Sequence, residues 1–464
     1  MRLDGNVTSQ TKQREQWGTQ VGFMLAAIGS AVGLGNIWKF PYITGENGGS
    51  AFIIVYLFAI ALIGLPIMLS EFLIGRKTQM NAVSSFKELA PNKPWYLTGL
   101  MGVAAAFIIL SFYGVVAGWA LNYTFESLTG KILSVAPEEL GAHFGSFISE
   151  TYSPILWQLL FMLLVILIVV GGINKGIEKW NKFLMPTLAL LIVIIAIRSV
   201  TLSGASAGLE FLLKPDFSAL KPTSFLIALG HAFFSLSLGM GTMITYGSYV
   251  PKDQNLPKAA LWISGADTLI ALLAGLAIFP AVFAFNMEPN AGPGLVFITL
   301  PAIFQQLPAG QFFAILFFLL LTIAALTSAV SLLEVPVAYF SDKFNWSRKQ
   351  TTWLIGTIIF VMGIPSSLSS GVMKDFKIFG KNFFDAADFL ASNILLPLGG
   401  LLIALFVGWV MKSKDAVEAA DYEEKDTLGR LWYYVVKFVA PVLIFLVLLN
   451  LTGILTKIFP FLSE

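Results

Sequence analysis

Residues 29–41 read Gly-Ser-Ala-Val-Gly-Leu-Gly-Asn-Ile-Trp-Lys-Phe-Pro and lie in an apolar run that is long enough to cross a membrane as a helix. The stretch 235–241, Ser-Leu-Ser-Leu-Gly-Met-Gly, interrupts another apolar run in the same way, five runs further along the chain. Glycine interruptions at corresponding places in two halves are typical of inverted-repeat membrane proteins, whose unwound helices bind a solute near the bilayer midplane. The pattern therefore predicts two broken helices around a central site.

Close helix packing is the alternative explanation for such glycines, and we favour it for Gly114-x-x-x-Gly118 in the third run. For the two interrupted runs we favour unwinding, because Asn36, Ser235 and Ser237 cluster beside the glycines and packing does not require them. Half-helices offer free amides at one end, which favour an anion, and free carbonyls at the other, which favour a cation. One pair of broken helices can thus hold a zwitterion and sodium.

The composition places most of the chain in lipid. Of its 464 residues, 56% are hydrophobic and 12% are charged, which is too apolar for a soluble protein. A formal net charge of +2 provides no concentrated basic face for nucleic acid. Cysteine is absent and the two histidines are far apart, so disulfides and a histidine-based metal centre are not expected. An enzyme would need a reactive group that the sequence lacks, so we expect no enzymatic activity.

Apolar runs of about 20 residues recur along the chain, and each must be helical because backbone groups in lipid have no water partner. The sequence predicts eleven spans: 20–43, 50–75, 98–124, 154–173, 181–201, 223–249, 257–285, 312–341, 349–366, 387–411 and 431–456. The expected fold class is an all-α polytopic membrane protein.

Positive charge in the loops predicts the orientation, since cytoplasmic loops carry the excess of Lys and Arg. With the N-terminus inside, 19 of the 29 Lys and Arg residues fall in cytoplasmic segments and 8 in external ones. We therefore expect a multi-pass protein of the cell inner (plasma) membrane with a cytoplasmic N-terminus and an external C-terminus. The acidic stretch 414–426 would be a solvated cytoplasmic loop.

Several motifs resemble signatures of the neurotransmitter:sodium symporter family. The stretch 29–41, followed by Glu-Asn-Gly-Gly at 46–49, resembles the signature of the family's first span. Further matches are Gly64-Leu-Pro with Glu71 and Gly75-Arg76, Phe233-Phe-Ser-Leu-Ser-Leu-Gly-Met-Gly241, Thr245-Tyr-Gly-Ser-Tyr-Val250, Phe297-Ile-Thr-Leu-Pro301 and Leu326-Thr-Ser328. The resemblance extends through the tenth predicted span.

This resemblance implies the leucine-transporter fold, two inverted repeats of five helices, here with one extra helix. The corresponding domains are a cytoplasmic tail (1–19), a first repeat (20–201), a second repeat (202–411) and a last segment (412–464) with a cytoplasmic loop, the eleventh span and a short external C-terminus. Many members have twelve spans, whereas some bacterial members, among them a carrier of several hydrophobic amino acids, have eleven.

The resemblance also implies two sodium ions and no organic cofactor. The first ion would bind Ala31 (carbonyl), Asn36, Ser235 and Asp267, together with the substrate carboxylate. The second would bind the carbonyls of Gly29, Val32 and Ala324 and the hydroxyls of Thr327 and Ser328. Hard oxygen ligands of this kind suit sodium. For the two hydroxyls, bonding back to their own helix is the alternative.

A hydrophobic L-amino acid is the substrate that the resemblance implies. Monoamine carriers of the family have aspartate at the position of Gly33, so here the substrate would bring its own carboxylate. The site would comprise Ser30, Ala31, Gly33, Leu34, Gly35, Ile109, Tyr113, Phe234, Ser235, Ser237, Met240 and Leu332. Met240 replaces a phenylalanine of the leucine transporter, and its flexible thioether predicts that aromatic side chains, including tryptophan, are accepted alongside leucine.

The resemblance places a gate on each side of the site. Lys39 and Asp388 match the outer ion pair, above a lid of Phe234 and Tyr113, and Lys cannot form the bidentate fork of the family's usual arginine. The inner gate would comprise Arg14, Asp342, Trp17 and Tyr249. Gly176 and Pro186 resemble a motif that lets the fifth span unwind.

Three polar residues within predicted spans have two explanations each. Glu71 would bond the unwound backbones of the first and sixth spans, and Asp267 would supply the negative charge that chloride supplies in animal members, which makes transport independent of chloride. Both carboxylates have interfacial snorkelling as the alternative. His231 either joins the outer polar cluster or packs between helices.

Two other functions stay open at this point. One is a sodium symporter for a small or amine-type substrate. The other is an amino-acid receptor that kept the site and lost transport.

Overall fold

The structure is a computed structural model that describes residues 15–289 and 294–458. Eleven helical segments match the predicted spans, and we number them α1 to α11. Their bounds are Gln20–Ala31 with Gly35–Glu46 (α1), Ser50–Thr78 (α2), Tyr96–Leu128 (α3), Ser153–Val170 (α4), Ile173–Val200 (α5), Pro222–Ser235 with Thr242–Gly247 (α6), Leu256–Ala284 (α7), Gly310–Phe344 (α8), Arg348–Leu368 (α9), Phe383–Val410 (α10) and Thr427–Leu451 (α11).

Both predicted helix breaks occur. The two halves of α1 are bent by 46° at residues 32–34. In α6 the chain leaves the helix over residues 236–241, where Ser237, Gly239 and Gly241 have φ of +55°, +79° and +74°. Glycine adopts this left-handed conformation without the steric cost that a Cβ brings, so the glycines permit the break. The preference for unwinding over packing at these glycines is confirmed.

The glycine pair of α3 instead serves packing, as predicted. A Cβ on Gly118 would lie 2.7 Å from the backbone nitrogen of Gln158 in α4, and a Cβ on Gly114 would lie 3.3 Å from the sulfur of Met162. The two helices therefore approach closely along this face. Close approach through small residues is how membrane helices gain van der Waals contact where lipid offers no hydrophobic drive.

The predicted boundaries agree with the helices to within a few residues, except at the start of α5 and the end of α11. The helix α5 begins at Ile173, eight residues before the predicted 181, with a π-helical turn over Ile173–Glu178. This turn contains Asn174, Lys175 and Glu178, so it is too polar to be recognised as part of an apolar span. By length and composition alone the described residues hold nine spans, or ten with the bent α1, and α6 fails the criterion because its break divides it into short pieces.

The loop between α10 and α11 is more ordered than a simple solvated loop. It contains the helix Ser413–Ala419, and Asp421 forms a bidentate ion pair with the buried Arg76 at the end of α2, at 2.6 and 2.8 Å. Asp421 also accepts a hydrogen bond from the Leu256 amide at 2.8 Å, which caps the start of α7. Asp421 of this acidic loop thus binds the ends of two helices and is not only hydrated.

A buried ion pair connects α8 with α9 and with the residues directly after α6. It lies on the same side of the protein as the start of α1. Glu334 is fully buried in α8, accepts a hydrogen bond from the Tyr249 hydroxyl at 2.6 Å and pairs with Arg348 through both guanidinium nitrogens. Arg348 also donates to the Val169 carbonyl at the end of α4, at 2.9 Å. Sequence patterns do not predict this network, because its members come from four separate segments of the chain.

We expect Arg348→Gln to lower the stability of the folded protein by about 3 kcal/mol, because it leaves the Glu334 carboxylate buried without its cation. The check is the midpoint of thermal unfolding in detergent. The neighbouring exposed Lys349→Gln is the matched control, and the double variant Arg348→Gln with Glu334→Gln should regain much of the loss. An unfolding midpoint for Arg348→Gln equal to that of Lys349→Gln would contradict the assignment.

Candidate functional site

A cavity lies between the two helix breaks, in the interior of the protein. Four elements line it: the break of α1, the break of α6, the middle of α3 and the middle of α8. Its lining residues are Ala31, Gly33, Leu34, Gly35, Ile109, Tyr113, Phe234, Ser237, Met240, Ser328 and Leu332. The predicted substrate residues are therefore brought together at this cavity, with Ser30 and Ser235 just behind the lining.

The polar end of the cavity consists of unwound backbone. The Leu34 amide donates a hydrogen bond to the Tyr113 hydroxyl at 3.2 Å. The Ser237 hydroxyl donates to the Ser30 carbonyl at 2.8 Å, which joins the α6 break to the α1 break. The start of the second half of α1 and the end of the first half of α6 meet here, so amides and carbonyls face one space. Such an end suits a group that carries both charges.

Asn36, Ser235 and Asp267, three of the residues predicted for the first sodium ion, form one buried hydrogen-bond cluster beside this end. The Asn36 amide nitrogen donates to Asp267 Oδ1 at 2.7 Å and to Ser235 Oγ at 3.2 Å, and Ser235 Oγ donates to Asp267 Oδ2 at 2.9 Å. All three side chains are at most 1% exposed. Asp267 lies in the middle of α7, so it does not snorkel to an interface.

The cluster fits a monovalent cation. Among the ion pairs of the described residues none includes Asp267, so its carboxylate has neutral partners only. Within the same part of the chain no three His, Cys, Asp or Glu side chains converge, which speaks against a transition-metal centre there. A buried carboxylate whose partners are all neutral attracts sodium, because a charge without compensation is costly in the interior.

Sequence reasoning missed Tyr56, which belongs to the same region. The Tyr56 hydroxyl, from α2, is buried beside Ser235 and Asp267, within reach of both side chains. His231 packs between the rings of Phe40 and Tyr56, at centroid distances of 5.9 and 5.5 Å, and both ring nitrogens are unpartnered. In this structure His231 therefore packs between helices. Tyr56 was missed because no local sequence pattern distinguishes it from a core tyrosine.

The residues proposed for a second sodium ion lie where α1 meets α8. A Cβ on Gly29 would be 3.2 Å from the Thr327 Cβ and 2.2 Å from Asn181 Oδ1, so α1, α5 and α8 touch at this glycine. The Thr327 hydroxyl bonds back to the carbonyls of Ile323 and Ala324, at 3.2 and 3.1 Å. Asn181 Oδ1 is buried without a partner and is an oxygen that the sequence did not single out.

Glu71 supports the break in α6. Its side chain is fully buried in α2, and Oε1 accepts a hydrogen bond from the Gly239 amide at 2.7 Å. Complete burial excludes the snorkelling alternative. Among the hydrogen bonds of the described residues, Glu71 reaches only α6, so the predicted bond to the backbone of α1 is not part of this structure.

The outer gate residues line a second cavity that shares Leu34, Tyr113 and Phe234 with the first. Phe234 and Tyr113 thus separate the two cavities, as expected of a lid. The Lys39 ammonium lies over the Phe234 ring, 4.5 Å from its centroid, whereas Asp388 accepts a hydrogen bond from Ser392 at 2.7 Å. Lys39 and Asp388 do not form an ion pair with each other in the described structure.

The inner gate residues are tightly packed on the opposite side. Trp17 is buried, its indole donates to the Tyr246 carbonyl at 3.1 Å and its amide donates to the Tyr249 carbonyl at 3.0 Å. Asp342 accepts a hydrogen bond from Asn81 at 2.9 Å. Arg14 lies outside the described residues. This side of the cavity is closed by α1 and α6 together.

Hydrogen bonds connect the start of α5 with the residues just before α1. Glu178 in the π-helical turn accepts hydrogen bonds from the Gly18 amide at 2.7 Å and the Thr19 hydroxyl at 2.8 Å, and Glu15 accepts one from the Ile173 amide at 2.9 Å. The predicted unwinding motif surrounds this contact. Its two residues are Gly176, where a Cβ would lie 2.1 Å from the Ile168 carbonyl oxygen, and Pro186, inside α5.

The model of the sodium:neurotransmitter symporter family matches residues 14–135 and 145–458. The chain belongs to this family. The uncharacterized sodium-dependent transporter YhdH of Bacillus subtilis is 45% identical over 95% of this chain and 98% of its own length. An uncharacterized sodium-dependent transporter of Haemophilus influenzae is 38% identical over 96% of this chain and 99% of its own. A crystal structure of MhsT in complex with L-phenylalanine shares 56% identity and a TM-score of 0.89, covering 94% of this chain and all of that one.

Membership of this symporter family confirms several expectations. The protein is a sodium-dependent multi-pass membrane transporter with the all-α fold of its structural neighbour, and it is not an enzyme. The number of sodium ions, the individual site residues, the domain boundaries and the orientation of the termini stay predictions.

We expect Asp267→Asn to weaken sodium binding about tenfold or more, because it removes the carboxylate charge and turns an amide donor toward Asn36. Equilibrium binding of radiolabelled sodium to the purified protein measures the effect. Asp216→Asn, on the exposed loop after α5, is the matched control and should bind sodium like the unmodified protein. Equal sodium affinities for both variants would remove Asp267 from the site.

Proposed function

We propose that the protein is a sodium-coupled symporter for hydrophobic L-amino acids, both aliphatic and aromatic, which uses two sodium ions, needs no chloride and works by alternating access. The observation that carries this proposal is the cavity between the two helix breaks. It combines a polar end of unwound backbone with an apolar body. The complex of the structural neighbour with L-phenylalanine supports the same substrate class.

The body of the cavity favours an uncharged side chain. Ile109, Phe234, Met240 and Leu332 offer apolar contact, and none of the lining residues carries a charge. A charged substrate side chain would lose its hydration there without gaining a partner, which is costly. Binding of a neutral apolar side chain becomes more favourable in proportion to the apolar area that it buries.

The surroundings of Gly33 argue against an amine-type substrate. A Cβ at this position would lie 2.9 Å from the Tyr113 hydroxyl and 3.0 Å from the Ser328 Cβ, so an aspartate there requires the Tyr113 and Ser328 side chains to move. The substrate therefore has to provide the carboxylate itself. We assign that carboxylate to the amides of Leu34 and Gly35, the Tyr113 hydroxyl and the first sodium ion.

We assign the substrate ammonium to the carbonyls of Ala31, Phe234 and Ser235 and to the Ser237 hydroxyl. The Ser237 hydrogen is used in the bond to Ser30, so its lone pairs are free to accept. An ammonium has three donors and no acceptor, and a set of oxygens at the end of a half-helix satisfies it. The substrate thus lies across both breaks.

The two sodium ions have different roles in this proposal. The first binds Asn36, Ser235 and Asp267 and touches the substrate carboxylate, so substrate and sodium stabilise each other. The second bridges α1 and α8 through Gly29 and Thr327, whose hydroxyl must turn from its own helix to do so. The fixed charge of Asp267 takes the place of an anion from solution, which supports independence from chloride.

The different packing of the two gates supports alternating access. The side with Trp17 and Tyr249 is closed by hydrogen bonds and edge-to-face rings, whereas Lys39 and Asp388 on the other side are not paired. We assign the closed side to the cytoplasm of a plasma membrane, since it carries most of the loop Lys and Arg residues. Sodium and substrate then enter from outside before the outer pair closes.

Uptake into proteoliposomes tests this function. We expect tritiated tryptophan and leucine to accumulate when sodium is directed inward, not to accumulate when potassium replaces sodium, and to accumulate equally when gluconate replaces chloride. Tritiated lysine and glutamate serve as controls and should stay outside, since the cavity offers no countercharge.

Other outcomes would each change one part of the proposal. Sodium-dependent binding of leucine without accumulation would indicate a receptor. Absence of both binding and uptake would contradict the substrate class. A requirement for chloride would remove the role given to Asp267 and leave symport intact.

Met240→Phe should lower tryptophan uptake about tenfold relative to leucine uptake, because the rigid ring overfills the part of the cavity that adapts to bulky side chains. The ratio of the two initial rates measures this. Met362→Phe, at a Met that is 43% exposed on α9, is the control and should leave the ratio unchanged. An unchanged ratio in Met240→Phe would place the tryptophan ring elsewhere.

A further inference from the structure

The side-chain oxygen of Asn181 is a buried acceptor to which the proposed function gives no role. Asn181 lies in α5 and is 2% exposed, and its Oδ1 has no hydrogen-bond partner among the described residues. Its Nδ2 donates to the Ile177 carbonyl at 2.9 Å. Exchange of the two amide atoms would set two oxygens against each other, so this bond identifies Oδ1 as the atom without a partner. Buried polar atoms in proteins generally have one.

This oxygen lies against the last turn of the first half of α1. A Cβ on Gly29 would be 2.2 Å from Asn181 Oδ1 and 3.2 Å from the Thr327 Cβ of α8. Gly29 and Thr327 are two of the residues proposed for the second sodium ion. The junction of α1, α5 and α8 therefore contains an amide oxygen from α5 beside them.

The break of α1 changes what the Gly29 carbonyl can bind. In an uninterrupted helix the Gly33 amide would donate to this carbonyl. Here the Gly33 amide donates to Asn36 Oδ1 at 3.0 Å instead. Carbonyls at the C-terminal end of a half-helix carry partial negative charge and attract a cation. The junction thus favours a cation at the place where Asn181 Oδ1 has no partner.

Both hydroxyls proposed for this ion also serve other contacts. The Thr327 hydroxyl donates back to the carbonyls of Ile323 and Ala324, at 3.2 and 3.1 Å. Ser328 lines the substrate cavity. Asn181 Oδ1 has no such competing bond, and an amide carbonyl is a hard oxygen of the kind that suits sodium. It is therefore well suited to add to the ligands that α1 and α8 provide.

A packing contact is the simplest alternative role for Asn181. A side-chain oxygen close to a glycine Cα forms a weak C–H···O hydrogen bond, and such bonds recur where helices pack together. This role explains why Asn181 and Gly29 are close. The two roles differ in one measurable respect, because a ligand responds to sodium whereas a packing contact is the same with and without it.

We propose that the Asn181 side-chain oxygen is a further ligand of the second sodium ion, so that this ion connects α5 to α1 and α8. The inference rests on the proposed function, which assigns a second sodium ion to α1 and α8. Bound sodium then stabilises the first half of α5 against α1, and loss of sodium releases it.

Hydrogen–deuterium exchange of the purified protein tests this connection, in sodium and in potassium, without substrate. We expect sodium to slow amide exchange in the first half of α5 as well as in α1 and α8. Asn181→Leu should abolish the effect of sodium on α5 and keep that on α8. The matched control is Thr187→Val in the same helix, where the hydroxyl bonds back to the Phe183 carbonyl at 2.8 Å. It should keep both effects, and exchange in potassium reports that each variant is folded.

Sodium affinity provides a second test, in an Asp267→Asn background that weakens the first site. Binding of radiolabelled sodium should be about tenfold weaker when Asn181→Leu is added, because a ligand to a charged group is lost. Adding Asn181→Asp should strengthen it, because a carboxylate attracts the cation more than an amide does. A packing role predicts no gain for Asn181→Asp, which loses the bond to Ile177.

Two results would overturn the proposal, and they differ in what they leave standing. If Asn181→Leu and Thr187→Val show equal effects of sodium on α5 and equal sodium affinities, Asn181 is not a ligand and the second ion stays. If the Asp267→Asn background binds no sodium, the second ion itself is wrong. Neither measurement uses an amino acid, so an error in the proposed substrate would appear only in the uptake experiments.

Discussion

Breaking two helices in the middle of a membrane frees backbone amides and carbonyls, and lipid offers them no partner. The protein satisfies them with buried side chains: Asn36 accepts from the Gly33 amide at 3.0 Å, and Glu71 accepts from the Gly239 amide at 2.7 Å. Tyr113 does the same for another amide of the α1 break. Of these three residues, Tyr113 also lines the cavity, so it both stabilises a break and faces the space between the breaks. In the proposed function, a substrate at this place would replace some of these hydrogen bonds with its own.

The two sides of the cavity differ in how they are held. On the inner side, Trp17 inserts between α1 and α6, and the Tyr249 hydroxyl reaches the buried pair of Glu334 and Arg348. These contacts are buried and therefore little screened by salt. On the outer side, Lys39 rests on an aromatic ring instead of a carboxylate. A compact lysine charge forms a less directional pair than arginine, so the outer side opens with fewer bonds to break.

Periodicity and hydropathy were sufficient to locate the helices, because each span must bury about 20 apolar residues in lipid. They failed at the start of α5, where a polar π-helical turn is satisfied by contacts with α1. The glycine clusters indicated both breaks. Most of the residues that the family resemblance assigned to the substrate line one cavity in the structure. Tyr56, Asn181 and Arg348 were missed for one reason: each acts through partners on other helices, and a sequence does not say which helices are neighbours.

The reciprocal contact between the starts of α1 and α5 couples their motion. Glu178 of α5 holds the backbone before α1, while Glu15 before α1 holds the first amide of α5. Losing one helix cap costs about 1 kcal/mol, and lifting either helix end breaks both caps at once. A state in which only one helix end is released therefore loses both caps but gains the conformational freedom of one end only. The inner side of the protein should accordingly open in one concerted step, with water reaching α5 and α1 at the same time.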